Sequence, residues 1–299
     1  MKPTDMEIKL RTEIHVEPRP GFLPYNRPVL LLGSCFSDNI GRRLAERGFN
    51  VVANPLGPVY NAAAMVAQTA LIASGREVQP TELFEHEHLW RHFLAHTLLA
   101  RPDRKEAADA LNEALDRARS ILLSSLPPLV CLTLGTAWAF TLADGSGFTV
   151  ANCHKLPAIR FNRRLMPLSE VTSCLTDTIS TIRKAAPGAD IIVTVSPIRH
   201  LADGLDGNSL SKAILRVAAD AATRIGAIYF PAFEAITDDL RDYRFYNPDM
   251  THPTEQAADY VFNLFENAYT DASTRELARQ ALTRNRRLAH RNFFSTTPR

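Results

Sequence analysis

Residues 28–36 read PVLLLGSCF. Pro28 to Leu32 form a short apolar run of the kind that fills a buried strand. Gly33 breaks the run, and Ser34 and Cys35 follow at once. From Ser37 and Asp38 the pattern turns helical, with Ile40, Leu44 and Phe49 on one side and Arg42, Arg43, Glu46 and Arg47 on the other. Strand, small-residue turn and helix in that order put a hydroxyl at the carboxyl edge of a sheet. There it lies beside the amides of a helix start, which favour a developing negative charge. In open α/β sheets the crevice outside the strand ends is where ligands bind. Ser34 is therefore the candidate nucleophile, and a base and an oxyanion site are to be sought in the rest of the chain.

Further short apolar runs are FNVVAN (49–54), LVCLTLG (129–135), ADIIVTVSP (189–197) and AIYFP (227–231). Helical patterns separate them: NAAAMVAQTALIA (61–73), residues 104–123, 168–186 and 209–226, then 254–269 and 273–283. Short apolar strands alternating with helices predict a mainly parallel sheet covered on both faces. The expected fold class is α/β, doubly wound and five-stranded, in the order 2-1-3-4-5. One domain over residues 1–299 is expected. Its N-terminal arm is 1–27, with IKLRTEIHVE (8–17) alternating as an edge strand does, and its insertions are 76–103 and 137–165. The second insertion holds a hairpin around Asp144-Gly145, and 271–299 is a helical tail.

Composition narrows the function. The 299 residues carry 34 basic against 32 acidic side chains, a formal charge of +2, which gives no electrostatic case for nucleic acid or an anionic membrane. The cluster Arg284, Arg286, Arg287 and Arg291 reads as a solvated helix face. Cys35, Cys131, Cys153 and Cys174 are widely spaced and match neither a disulfide framework nor a metal site. The polar N-terminus and the lack of a long apolar stretch lead to the expectation of a soluble cytoplasmic protein.

The base is sought in Tyr246-Asn247-Pro248-Asp249-Met250-Thr251-His252-Pro253-Thr254. Pro253 at the first helical position would set His252 at the helix cap. A loop there, after the last strand, can reach the edge where Ser34 sits. His252 would take the serine proton and return one to the leaving group. Asp249, three residues earlier, would fix its tautomer. The competing reading is a loop-capping aspartate and a histidine that merely precedes a helix. D-x-x-H counts only together with the Gly-Ser turn.

These two ends together resemble the GSCFA family, a branch of the SGNH/GDSL hydrolase superfamily. The family motif stands as Gly33-Ser34-Cys35-Phe36, with serine in place of the usual alanine at position 37. Other matching strings are NPLGPVYN (54–61), LTLGTAW (132–138), ANCHKLP (151–157), VSPIRH (195–200) and RDYRFYNPDMTHP (241–253). The resemblance implies an SGNH-type fold and a triad of Ser34, His252 and Asp249. It further implies an oxyanion site from the Ser34 amide, the Gly57 amide and an asparagine after the third strand. That asparagine is missing, and either the Thr136 hydroxyl or Asn152 would replace it.

Other residues carry open readings. Cys35 is expected to point into sheet–helix packing as an inert thiol. His86, His88, His92 and His96 have spacings that would align the last three on one helix face, yet no acidic or cysteine partner completes a metal site. His92 and His96 are better read as lining a substrate pocket. His154 and Lys155 are expected near the substrate. Arg199 is read either as an anion clamp or as an ion pair tying edge loops together. Trp90 and Trp138 are core residues by default, or an apolar wall.

The resulting expectation is a serine esterase acting on acyl esters, such as O-acetyl groups on a carbohydrate or small metabolite, with no metal or cofactor. Its alternatives are an acyltransferase with the same residues and a binding module without catalysis. The sequence does not give the oligomeric state.

Overall fold

The computed structural model describes residues 11–295, with side chains through Leu288. The central sheet has the strands β1 (Val29–Gly33), β2 (Val51–Ala53), β5 (Leu129–Leu134), β9 (Asp190–Val195) and β10 (Ile228–Tyr229). They are parallel and ordered β10-β9-β5-β1-β2. Numbered along the chain, that is the expected order 2-1-3-4-5. Alternate residues of each strand enter opposite cores. Leu30 and Leu32 of β1 pack with Val130, Leu132, Ile191 and Val193 under α2 (Ala62–Ala73), α3 (Arg104–Leu122), α4 (Leu168–Ala185) and α5 (Gly204–Thr223). Val29 and Leu31 pack the other way, with Leu129, Cys131 and Ile192, against α1 (Cys35–Glu46) and α7 (Glu255–Tyr269). Burial on both faces is why these strands read as unbroken apolar runs.

Several expectations fail in the peripheral segments. Residues 11–17 form no strand, and residues 8–10 of the proposed edge strand lie outside the described region. Arg11 and the Ile14 amide instead bind Asp239, in a π-helical stretch (Ala235–Leu240) that follows the short turn α6 (Ala232–Glu234). The histidine-rich insertion is a hairpin, β3 (Phe84–His86) and β4 (Leu89–Arg91), whose two turn residues Glu87 and His88 have φ of 50° and 59°. Positive φ at both central residues is the requirement of a two-residue type I′ hairpin turn. His88, His92 and His96 therefore share no helix face. The second insertion holds three antiparallel strands in the order β7-β6-β8: β6 (Trp138–Leu142), β7 (Thr149–Val150) and the unforeseen β8 (Phe161–Leu165). The tail is one helix, α8 (Ala272–Ser295), longer than the pattern implied; the side chain of Arg291 lies outside the described residues.

The helical pattern sets Arg43 on the side of α1 opposite Ile40 and Leu44, yet its side chain is 2% exposed. Its guanidinium reaches under α7, with Nε to Asp259 at 2.8 Å and Nη2 to the Glu255 carboxylate at 2.8 Å and to the Glu255 carbonyl at 3.2 Å. Arg42 adds a bond to the same carboxylate at 2.7 Å. Arg43→Met keeps the packed stem and removes every donor. It is expected to lower stability by about 2 kcal/mol, read from the urea midpoint at constant m-value. An unchanged midpoint would mean that this contact does not hold α7.

Candidate active site

The turn after β1 is locked from several sides. Gly33 has φ of 143°, and a Cβ there would come within 2.2 Å of the Thr133 carbonyl oxygen, so only glycine fits. Asn54, at the end of β2, accepts from the Gly33 amide (2.8 Å) and donates to the Ser34 carbonyl (3.2 Å) and the Asp38 carboxylate (2.9 Å). Ser34 is the N-cap of α1. Its Oγ accepts from the Phe36 amide at 3.2 Å and donates to Ser196 Oγ at 2.9 Å, at the end of β9. The residue has 0% exposure. The expectation that its hydroxyl faces the crevice is therefore corrected: helix capping turns it into the protein. Cys35 packs against the core between the sheet, α1 and α7, as expected, though it is half-buried, and its Sγ lies 3.0 Å from the Tyr60 hydroxyl. Burial raises its pKa, while the Tyr60 bond works in the opposite direction.

At the other end, His252 Nδ1 and Asp249 Oδ2 are 2.7 Å apart. Asp249 Oδ1 also accepts the backbone amides of Thr251 (2.9 Å) and His252 (3.0 Å). The His252 amide, then the ring contact, then the Thr251 amide pull the carboxyl down to about 2, so it is charged at neutral pH. The helix begins later than expected: Thr254 is the N-cap of α7, its hydroxyl accepting from Ala257, so Pro253 and His252 precede the helix. The loop closes on itself through Asn247 N–H to the His252 carbonyl (2.8 Å) and Thr254 N–H to the Phe245 carbonyl (2.9 Å). The segment after β9 holds it in place. The Arg199 amide donates to the Thr251 carbonyl (3.1 Å), and the Arg199 guanidinium to the Met250 carbonyl (3.3 Å) while resting against Tyr243 and Tyr246. Arg199 thus makes no ion pair among the described residues; it carries the loop.

His252 opens into a cleft of about 690 Å³ at the carboxyl edge, shared with Tyr60, Thr136, Trp138, Asn152, Arg199 and His200, among others. The β6–β8 strands form one wall. There Arg163 stacks on Trp138 at 3.9 Å and pairs with Asp203. Trp138 Nε1 and His200 Nε2 are buried atoms without a hydrogen-bond partner, and both residues line this cleft. His200 meets the Tyr60 ring edge-on at 5.9 Å. Burial first, then the charges of Lys212 and His252, lower its pKa to about 4.

The expected oxyanion donors do not assemble. The Gly57 amide is taken by the Asn54 carbonyl (2.7 Å), and Gly57 packs against the His96 side chain. The Thr136 hydroxyl faces back, receiving the Trp138 amide (3.1 Å) and meeting Ser211 Oγ (3.1 Å). Asn152 does reach the cleft, with its Oδ1 bound to the His154 amide at 2.7 Å. Among the proposed substrate contacts only Arg199 lines the cleft. His154 is 2% exposed and sits between the His92 carbonyl and Thr97; burial first of all lowers its pKa to about 4. The His92 and His96 rings cap local turns by accepting the Leu94 and Leu98 amides, and Lys155 is exposed outside the cleft. Among the described residues no three His, Cys, Asp or Glu side chains cluster as metal ligands would.

The sequence reading missed Tyr60, Ser196 and Lys212. Lys212 lies in a helix pattern, where a lysine normally marks the wet face, yet it is 2% exposed. Its Nζ donates to the Gly135 carbonyl (2.7 Å) and the Ser196 carbonyl (2.8 Å), tying the ends of β5 and β9 together behind the cleft. Burial lowers its pKa to about 7, with only Asp203 opposing. The unfolded chain then holds a proton that the folded one lacks between pH 7 and the ordinary lysine range near 10.5. Over that interval stability contributed by this site rises with pH. The urea midpoint of the wild type relative to Lys212→Met should therefore increase from pH 7 to pH 9.5; a pH-independent difference would refute this.

None of the curated proteins matches this chain. Solved structures similar to it include the following three. One is a carbohydrate esterase family 3 from Talaromyces cellulolyticus (10% identity, TM-score 0.38, 80% of this chain and 94% of that one). The second is the acetyl xylan esterase Est2A from Butyrivibrio proteoclasticus (13%, 0.39, 87% and 64%). The third is a carbohydrate esterase family 2 enzyme plus carbohydrate binding domain from Corynascus thermopiles (Myceliophthora fergusii) (13%, 0.41, 90% and 69%). Residues 28–265, from the first sheet strand into α7, match the GSCFA family. The chain belongs to the GSCFA family.

Proposed function

We propose that this chain is a hydrolase of acyl esters, of the SGNH type, in which His252 is the general base and Asp249 holds it. The 2.7 Å contact between Asp249 and His252, on a loop pinned to the carboxyl edge, is the observation that carries the reading. A carboxylate that stays ionised orients the imidazole and stabilises the imidazolium formed during proton transfer. The nucleophile comes from the Gly33-Ser34-Cys35 junction, whose neighbour Tyr60 lines the same cleft. The Asn152 side chain lines the cleft and is a polar group for an ester carbonyl or for hydroxyls of the alcohol part. An acyl group on a carbohydrate or small polar metabolite is the substrate class in view.

Hydrolysis is preferred to acyl transfer because the His252 side chain is 45% exposed, leaving water access to the base. With p-nitrophenyl acetate as substrate, His252→Ala should lower kcat by roughly two to four decades. Asp249→Asn should lower it in the same direction, and KM should change little in either. A His252→Ala protein that turns over at the wild-type rate would overturn the reading. Wild-type product partitioning to an added alcohol instead of water would convert it to transfer.

A further inference from the structure

We propose that the alcohol part of the substrate carries a negatively charged group, a carboxylate or a phosphate, held by Arg199 and Arg241; the inference rests on the ester-hydrolase reading above. A second cavity, of about 280 Å³, shares Arg199 with the main cleft and is walled further by Thr237, Arg241, Asp242, Tyr243 and Tyr246. Two guanidiniums thus line one small cavity next to the loop that carries the base. Its size suits a compact anionic group.

Neither arginine has a carboxylate partner among the described residues. Arg199 makes one side-chain hydrogen bond, to the Met250 carbonyl at 3.3 Å, and its guanidinium lies 5.8 and 5.5 Å from the ring centres of Tyr243 and Tyr246. The rings hold the group in place and leave most of its donors unused. The Arg241 guanidinium bonds to nothing among the described residues; only its backbone amide does, to the Ile236 carbonyl at 3.0 Å. The one carboxylate in the wall is already matched. Asp242 accepts Arg244 Nε at 3.1 Å, Arg244 Nη2 at 3.0 Å and the Arg244 amide at 2.8 Å. Arg199 and Arg241 are left as uncompensated cations with free donors, which an oxyanion would meet with charge-assisted bonds.

The backbone favours the same assignment. Arg241 sits in the left-handed region, at φ 41° and ψ 35°, directly after the π-helical stretch Ala235–Leu240. An arginine is strained there where a glycine would not be, and such strain, like π-helical turns, gathers at functional sites. The π-helix supplies Thr237 to the wall, and its cap supplies Arg241. The direction of the alcohol follows from the chemistry. His252 returns a proton to the leaving oxygen, so the alcohol departs on the side of the base loop. Arg199 is bonded to that loop through the Met250 and Thr251 carbonyls, which sets the second cavity in the path of the leaving group.

Three acetyl esters on one phenol frame test this: that of 4-hydroxybenzoate, that of 4-hydroxyphenyl phosphate and the neutral one of methyl 4-hydroxybenzoate. The wild type should show a KM for the better anionic ester about tenfold below that for the neutral one. The lower of the two anionic values tells carboxylate from phosphate. Arg241→Gly, which the left-handed backbone accommodates and whose fold is verified by its urea midpoint, should erase this preference; Arg241→Lys, which keeps the charge, should retain part of it. In calorimetric titrations at fixed ionic strength, inorganic phosphate should bind the wild type and bind Arg241→Gly about tenfold more weakly. That measurement needs no turnover. A neutral ester handled as well as the anionic ones, or a preference that survives Arg241→Gly, would overturn the assignment. Phosphate binding that Arg241→Gly weakens, in a wild type that cleaves none of the esters, would support the anion site and count against the ester-hydrolase reading.

Discussion

The arrangement of the site depends on a buried cation. Arg43 reaches from α1, which begins at Cys35, to Glu255 and Asp259 in the first turns of α7. His252 stands three residues before Glu255, so the ion pair sets the distance between two chain segments more than 200 residues apart. Its partners are 72% and 64% exposed, which keeps them hydrated and spares the fold the cost of sinking both carboxylates. The guanidinium is weakly hydrated and forked, and it can meet two acceptors and a backbone carbonyl at once. A lysine offers no such fork.

Behind the cleft a second polar layer holds the strand ends in register. Ser34 binds Ser196, and Lys212 binds the carbonyls of Ser196 and Gly135, so β1, β5 and β9 are joined at their carboxyl ends by side chains as well as by the ladder. Buried polar groups are costly when unpaired, and here each finds a partner. Among the residues lining the cleft, Trp138 Nε1 and His200 Nε2 are buried atoms without a hydrogen-bond partner.

The five strands and their order were legible because parallel strands buried on both faces leave continuous apolar runs such as LVCLTL and DIIVTV. The D-x-x-H loop was legible as well, since its chemistry is local. Three-residue strands were not: β3 and β4 are too short for periodicity to register, and the four-residue histidine spacing suggested a helix instead. Arg43 and the unremarked Lys212 were not legible as buried because a charged residue in a helix pattern reads as solvated unless its distant partner is known. The burial of the Ser34 hydroxyl goes with the backbone of a single capping residue, with φ of −65° and ψ of 174°. No hydrophobic pattern encodes that.

The wall carrying Trp138, Phe140 and Arg163 belongs to a small antiparallel sheet that shares no ladder with the central one. Sequence drift in β6, β7 and β8 can thus reshape what the cleft admits while the scaffold beneath stays constant. Related chains built on one scaffold are then free to diverge in ligand preference by remodelling this inserted panel alone.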